Sequence, residues 1–243
     1  MEFLIIFILL ALLAEVLGIV GGFGSSLFFV PVASFFFDFH SVLGITALFH
    51  LSSNIAKIAL FRKGFDKKLI IQIGIPAVLF VILGAFLTRF IDNTYLSITL
   101  SIFLISISTI LLIFKNLVLK PTLFNSVTGG ALSGITAGLL GTGGAIRGLT
   151  LAAFNLEKNV FIATSAIIDF GIDFSRSIVY FSNGYMHKHD LYLVPILLVV
   201  SIVGTFIGKK ILNHFSQSQF KYIVLSLILL VGIIMLVKQI RNI

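Results

Sequence analysis

The sequence has no cysteine and no tryptophan, only four prolines, and few charges: Asp, Glu, Lys and Arg make up 11% of its 243 residues. Without cysteine there are no disulfides, thiolate metal sites or cysteine nucleophiles. Without tryptophan, an aromatic belt at a membrane interface must be built from tyrosine. Tyr95, Tyr180, Tyr185, Tyr192 and Tyr222 all fall near the ends of apolar segments, as a belt requires. Polar linkers and soluble-domain composition are also missing. The first apolar segment lacks a basic leader and a small-residue cleavage site, so it is expected to stay in the mature protein. No cofactor is expected. His187 and His189 beside Asp190 read better as a solvated loop than as a metal site.

What is present is apolar. Hydrophobic residues make up 58% of the chain and the mean hydropathy is +1.17. That much apolar surface needs lipid as its solvent, which points to an all-α, multi-pass membrane protein. Segments near the roughly 20 residues that cross a bilayer fall at 3–20, 25–37, 42–61, 69–90, 95–114, 126–154, 158–181, 191–212 and 218–238. The net charge of +8 does not indicate nucleic acid, because the basic residues sit in short loops between these segments.

Glycine-rich breaks interrupt two segments, at Gly21-Gly22-Phe23-Gly24-Ser25-Ser26 and at Gly141-Thr142-Gly143-Gly144-Ala145-Ile146-Arg147-Gly148. A shift of 119 residues superposes Gly22 on Gly141, Gly24 on Gly143, Thr46 on Ser165 and Pro76 on Pro195. The chain therefore reads as two tandem four-segment repeats, 1–120 and 121–243, each with a glycine-broken first helix and together forming one transport domain. Loop charge argues that the repeats are inverted. The loop 62–68 is basic while its counterpart 183–190 is nearly neutral, and the next pair of loops reverses the pattern. Inversion requires each broken segment to turn back as a re-entrant hairpin, which leaves the 115–121 linker cytoplasmic and both termini external. Parallel repeats with eight crossings are the alternative, favoured by Lys238 and Arg241 near the C-terminus.

Thr46, His50, Asn54, Lys57 and Phe61 share one helical face, and Ser165, Asp169, Asp173, Arg176 and Tyr180 repeat the same spacing in the second half. Ionisable groups at membrane depth pair with one another or face a cavity. The expected pairs are Asp173 with Arg176, and Asp169 with Lys57 or His50. Backbone unwound at the breaks must line a cavity or be buried in protein. The breaks and stripes should therefore converge on a substrate pocket built from Gly22, Gly24, Ser25, Thr46, His50, Asn54, Lys57, Gly141, Thr142, Gly143, Gly144, Arg147, Ser165 and Arg176. Asp169, Asp173 and His50 are its candidates for proton coupling. Arg147, at the start of a short helical piece, combines a helix N-terminus with a guanidinium fork, which suits an anion. Thr46, Asn54 and Ser165 could equally serve only as interhelical glue.

On these residues the chain resembles the sulfite exporter TauE/SafE family of small-anion transporters, over nearly its whole length. In the first half the resemblance rests on Gly22-Phe23-Gly24-Ser25-Ser26 with Val30-Pro31, on Ala47-Leu48-Phe49-His50 with Asn54, and on Phe61-Arg62-Lys63. In the second half it rests on Gly141 to Gly148, on Ala163-Thr164-Ser165-Ala166, and on Arg176 with Tyr180. The family's glycine triplet is reduced here to Gly24-Ser25-Ser26, and Thr150 stands where a proline would match Pro31. The resemblance implies export of sulfite, a sulfonate or a related organic anion across the cytoplasmic membrane, driven by the proton gradient.

The expected function is a secondary carrier working by alternating access at a midplane site between the repeats. A passive anion channel is a second reading. An intramembrane hydrolase, with Ser25 or Ser26 as nucleophile and His50 as base, is a third and weaker one. The expected partners are a small anionic substrate and the lipid bilayer, with a homodimer left open.

Overall fold

The computed structural model describes residues 2–21, 24–61, 64–114, 119–187, 192–212 and 217–241. Gly22, Phe23, Arg62, Lys63, residues 115–118 of the linker, His189 and Asp190, all part of the readings above, lie outside the described residues. Those described are helical or in short connections, with no strand among them.

The first half contains α1 (Glu2–Gly21), α2 (Ser26–Ala33), α3 (Phe39–Leu60), α4 (Lys67–Phe90) and α5 (Asn93–Ile113). The second contains α6 (Leu123–Leu140), α7 (Gly144–Ala152), α8 (Lys158–Ser182), α9 (Leu193–Leu212) and α10 (Gln217–Arg241). Six of these, α1, α3, α4, α5, α6 and α9, are long and apolar enough to cross a membrane. Helix α8 is longer, at 25 residues, but Asp169, Asp173 and Arg176 interrupt its apolar character.

Most acidic residues outside the interior start helices. Asp38 accepts from the Ser41 N–H at 3.1 Å, Asp66 from Leu69 at 3.0 Å and Asp92 from Thr94 at 2.8 Å. Each satisfies a backbone donor that the first helical turn leaves open. Bonds from the Thr94 N–H and hydroxyl hold the exposed Asp92 carboxyl below its usual value. Helix α4 widens into a π turn over Ile70–Gly74. It does so just before Pro76, which has no N–H to complete a regular turn.

Two glycines reverse the chain. Gly24 and Gly141 take the left-handed conformation, at φ +80° and +74°, which costs glycine no Cβ clash. After the first reversal Gly18 packs on Ser25, and Phe7 meets Phe29 and Phe37 at ring separations of 5.9 and 5.2 Å. After the second, Gly143 packs on Ser133 and Thr150 on Gly129. In both places a short helix folds back antiparallel on the long one before it.

Contacts fix the course of the other helices. Gly130, Gly134 and Gly138 of α6 lie on Ile73, Ala77 and Val81 of α4, so these two helices run parallel. Backbones approach closely here, and a Cβ on Gly134 would sit 2.2 Å from the Ala77 carbonyl oxygen. Gly204 and Gly208 of α9 pack on Glu15 and Ile19 of α1, again parallel. Helices α3 and α8 cross antiparallel, with Asn54 on Asp173 and Gly44 beside Tyr185.

Two apolar clusters form the interior. One gathers mainly α1, α2, α3, α5, α9 and α10, and the other α4, α6, α7 and α8. The outside is apolar too: Leu79, Ile113, Phe124 and Phe181 are 62%, 65%, 74% and 71% exposed. Such a surface suits hydrocarbon rather than water. The tyrosine belt is only partly as expected. Tyr95, Tyr192 and Tyr222 are exposed, but Tyr180 and Tyr185 are buried. Their hydroxyls are taken up inside, Tyr180 donating to the Gly138 carbonyl at 2.6 Å and Tyr185 bonding Thr88 at 3.0 Å.

Candidate functional site

Buried charge collects where the two breaks meet. A Cβ placed on Gly24 would lie 3.7 Å from Arg147 Nη2 and 3.9 Å from Gly144 Cα, so the breaks face each other. Thr142 donates to Ser26 at 3.1 Å across the same junction. Between them lies a small polar cavity lined by Gly24, Ser25, Ser26, His50, Asn54, Lys57, Ala137, Gly141, Gly143, Gly144, Arg147, Asp169, Ile172, Asp173 and Arg176.

Arg147 lies in the first turn of α7, its N–H bonded to the Gly143 carbonyl at 3.1 Å. Nη1 pairs with Asp169, and Nε donates to Ser165 Oγ at 3.1 Å, while Nη2 points at Gly24 across the cavity. The pairing expected of Asp169 with Lys57 or His50 is therefore not the one found. Arg147 is closer, because α7 folds back against the middle of α8.

Arg176 is committed differently. Nε and Nη2 both reach Asp173 Oδ1, at 2.8 and 2.7 Å. Nη1 donates to the Ala137 and Gly141 carbonyls at 3.1 and 2.9 Å. The Ala137 carbonyl also accepts from the Gly141 N–H at 3.1 Å, while the Gly141 carbonyl lies at the end of α6, and a cation there suits the helix dipole. The other oxygen of Asp173 accepts from Asn54 Nδ2 at 2.6 Å. Arg176 thus clasps α6 to α8, and Asn54 ties the clasp to α3.

The first break carries a charge that the sequence reading passed over. Glu15 of α1 is fully buried. It accepts from Ser25 at 2.6 Å, from Thr205 at 3.1 Å and from Ser53, and it pairs with Lys57 Nζ at 3.4 Å. A lone acidic residue in the first apolar segment was the available signal. It was easy to miss because neither polar stripe contains it.

His50 completes the group, with Nδ1 3.2 Å from Ser25 Oγ. Nε2 is buried and has no hydrogen-bond partner among the described residues. This arrangement argues against a serine nucleophile. A catalytic serine gives its proton to histidine, whereas Ser25 donates to Glu15.

Of the other proposed site residues, Ser165 and Thr142 support the cavity without lining it. Thr46 is buried, lies outside the lining, and has an unpartnered hydroxyl. Space reachable by the centre of a water molecule is about 20 Å³ in the cavity, against the roughly 10–15 Å³ that one water needs. A second small cavity adjoins it, lined by Gly18, Ile19, Phe161, Ile162, Ser165 and Ala166. Gly24, Lys57 and Asp169 line both and separate them.

An apolar helical bundle with a buried polar cavity at two broken helices is the build of a multi-pass membrane transporter. The particular family follows from sequence: residues 7–235 match the model described as Sulfite exporter TauE/SafE, and the chain belongs to that family. It is similar to the Probable membrane transporter protein MJ0441 of Methanocaldococcus jannaschii, with 27% identity over 260 residues covering 97% of each chain. No solved structure matches the chain. The family and this relative place the protein among membrane transporters and not among enzymes.

Proposed function

We propose that the protein is a proton-coupled carrier exporting a small sulfur-containing anion, such as sulfite or a sulfonate, and that the anion binds between the two glycine breaks. The observation that carries this reading is Arg147 Nη2. Nε and Nη1 are engaged by Ser165 and Asp169, which leaves the third nitrogen directed into the cavity. Backbone N–H groups at the start of α7 add to its pull on an oxyanion. The small size of the cavity supports alternating access over an open channel. A sulfur oxyanion needs the breaks to part, and an open conduit would not close around one water.

Inverted repeats over 1–120 and 121–243 fit the contacts. Helix α3 runs antiparallel to α8, its counterpart, and α1 with α9 mirrors α6 with α4. On that arrangement the basic residues Lys67, Lys68, Lys120, Lys209 and Lys210 fall at one end, which is then the cytoplasmic one. The second cavity lies toward that end, near Thr164 and its bond to Asp66. Asp169 and Lys57 would then form the inner gate.

The test is sulfite flux in proteoliposomes carrying Arg147→Ala. Transport is expected to vanish while helix content by circular dichroism stays that of the wild type. Undiminished flux would sink the site.

A further inference from the structure

We infer that each anion enters the cavity together with one proton, held between the anion and His50 Nε2, and that Glu15 and Ser25 set His50 up for this. The inference rests on the anion-carrier reading and assigns the proton within it to His50 rather than to Asp169 or Asp173.

The argument starts at Glu15. Its two oxygens accept from three hydroxyls and lie beside the Lys57 ammonium. Four donors around one carboxylate are the surroundings of its ionised form, which only accepts. The single hydroxyl proton of Ser25 is spent on Glu15. Toward His50, Ser25 Oγ can then only accept, so Nδ1 carries the hydrogen of the neutral imidazole. Nε2 is left as a bare lone pair. His50 lines the cavity and is 5% exposed, Nε2 is buried, and none of the described residues donates to it.

A lone pair facing an anion site repels the oxygens of the anion. One proton on Nε2 turns that repulsion into a charge-assisted hydrogen bond. Charge balance makes the same demand. The groups around His50 are Lys57 on its own helix, Arg147 on α7, Asp169, Asp173 and Arg176 on α8, and Glu15 on α1 behind Ser25. They pair one to one: Arg147 with Asp169, Arg176 with Asp173, and Lys57 with Glu15. The site is neutral when His50 is neutral. An anion arriving alone would leave one buried negative charge uncompensated. A proton arriving with it restores neutrality, and His50 is the group with an open position to take it. The ligand class is thus a small oxyanion bound as a monoanion–proton pair. Both are released to the other side when the breaks part, and no bond other than N–H or O–H forms.

The experiment counts protons. The purified full chain is titrated with methanesulfonate and with ethanesulfonate, monoanions that stay ionised near neutral pH, by calorimetry in two buffers of different ionisation heat. Wild type is expected to take up about one proton per bound anion, and affinity to weaken about tenfold per pH unit above the His50 titration. For His50→Gln, whose amide can donate without titrating, the count should fall to near zero. If that variant does not fold, the 15N spectrum of histidine-labelled wild type replaces it: one imidazole nitrogen must gain a proton on saturation. Binding of either anion by wild type without proton uptake, or uptake that survives in His50→Gln, overturns the inference and leaves the anion site standing. Failure of both anions and of sulfite to bind wild type overturns the anion-carrier reading itself.

Discussion

The two buried arginines look alike in sequence, but the structure separates their roles, and Arg176→Met against Arg147→Met tests the separation. Arg176 makes two contacts to Asp173 and two to the carbonyls that end α6. Its side chain and that of Asp173 are 2% and 5% exposed. Methionine would leave Asp173 with Asn54 as its remaining side-chain donor and the Gly141 carbonyl without its guanidinium. Removing one partner of a buried ion pair costs roughly 3–5 kcal/mol. At roughly 2–4 °C per kcal/mol for a chain of this size, the melting temperature should fall by roughly 6–20 °C. For Arg147 the partner Asp169 has a side chain 17% exposed at the edge of both cavities. Water can reach that carboxylate, so the loss should be about 1–2 kcal/mol, between a surface pair and a buried one. The assay is thermal unfolding in detergent followed at the helical circular dichroism band, alongside sulfite binding. Arg176→Met should lose stability first, and Arg147→Met should lose binding while still folded. If Arg176→Met melted with the wild type yet bound nothing, Arg176 would be a ligand group rather than a clasp.

Other outcomes follow from the same contacts. Asp169→Asn should free Arg147 from its competing carboxylate and tighten sulfite binding by about tenfold, equivalent to 1.4 kcal/mol; calorimetry at fixed pH would read this, and weaker binding would contradict it. Gly134→Leu should abolish stable folding, because even a Cβ would meet the Ala77 carbonyl oxygen at 2.2 Å and overpacking costs roughly 1–3 kcal/mol before a larger side chain is added. Folded yield after detergent extraction checks it, and a wild-type elution profile would show that α4 and α6 do not pack as described.

The segment boundaries were legible from the residues because each depends on local chemistry. Runs of apolar side chains end at Asp38, Asp66, Asp92 and Thr122, which cap the helices that follow. The glycine breaks were legible for the same reason, since a positive φ at Gly24 or Gly141 is a local demand. The i,i+3 pair Asp173–Arg176 is also fixed within a single helix. Partners contributed by different helices were not legible. Asp169 was expected to reach Lys57 or His50, but how α7 folds back decides that it meets Arg147.

Sequence by itself determined that this chain lives in lipid, and it held the polar stripes and glycine breaks that the fold gathers around one cavity. Those properties are carried by composition and short-range periodicity. Tertiary structure alone decided which charges neutralise which. Glu15 lies far along the chain from Lys57 and Thr205 yet bonds both, and this gave the first break an acidic centre that no repeat or motif announced. Helix packing in hydrocarbon forces every buried charge to find a partner. Which partner it finds depends on distances between helices, and linear spacing does not contain them.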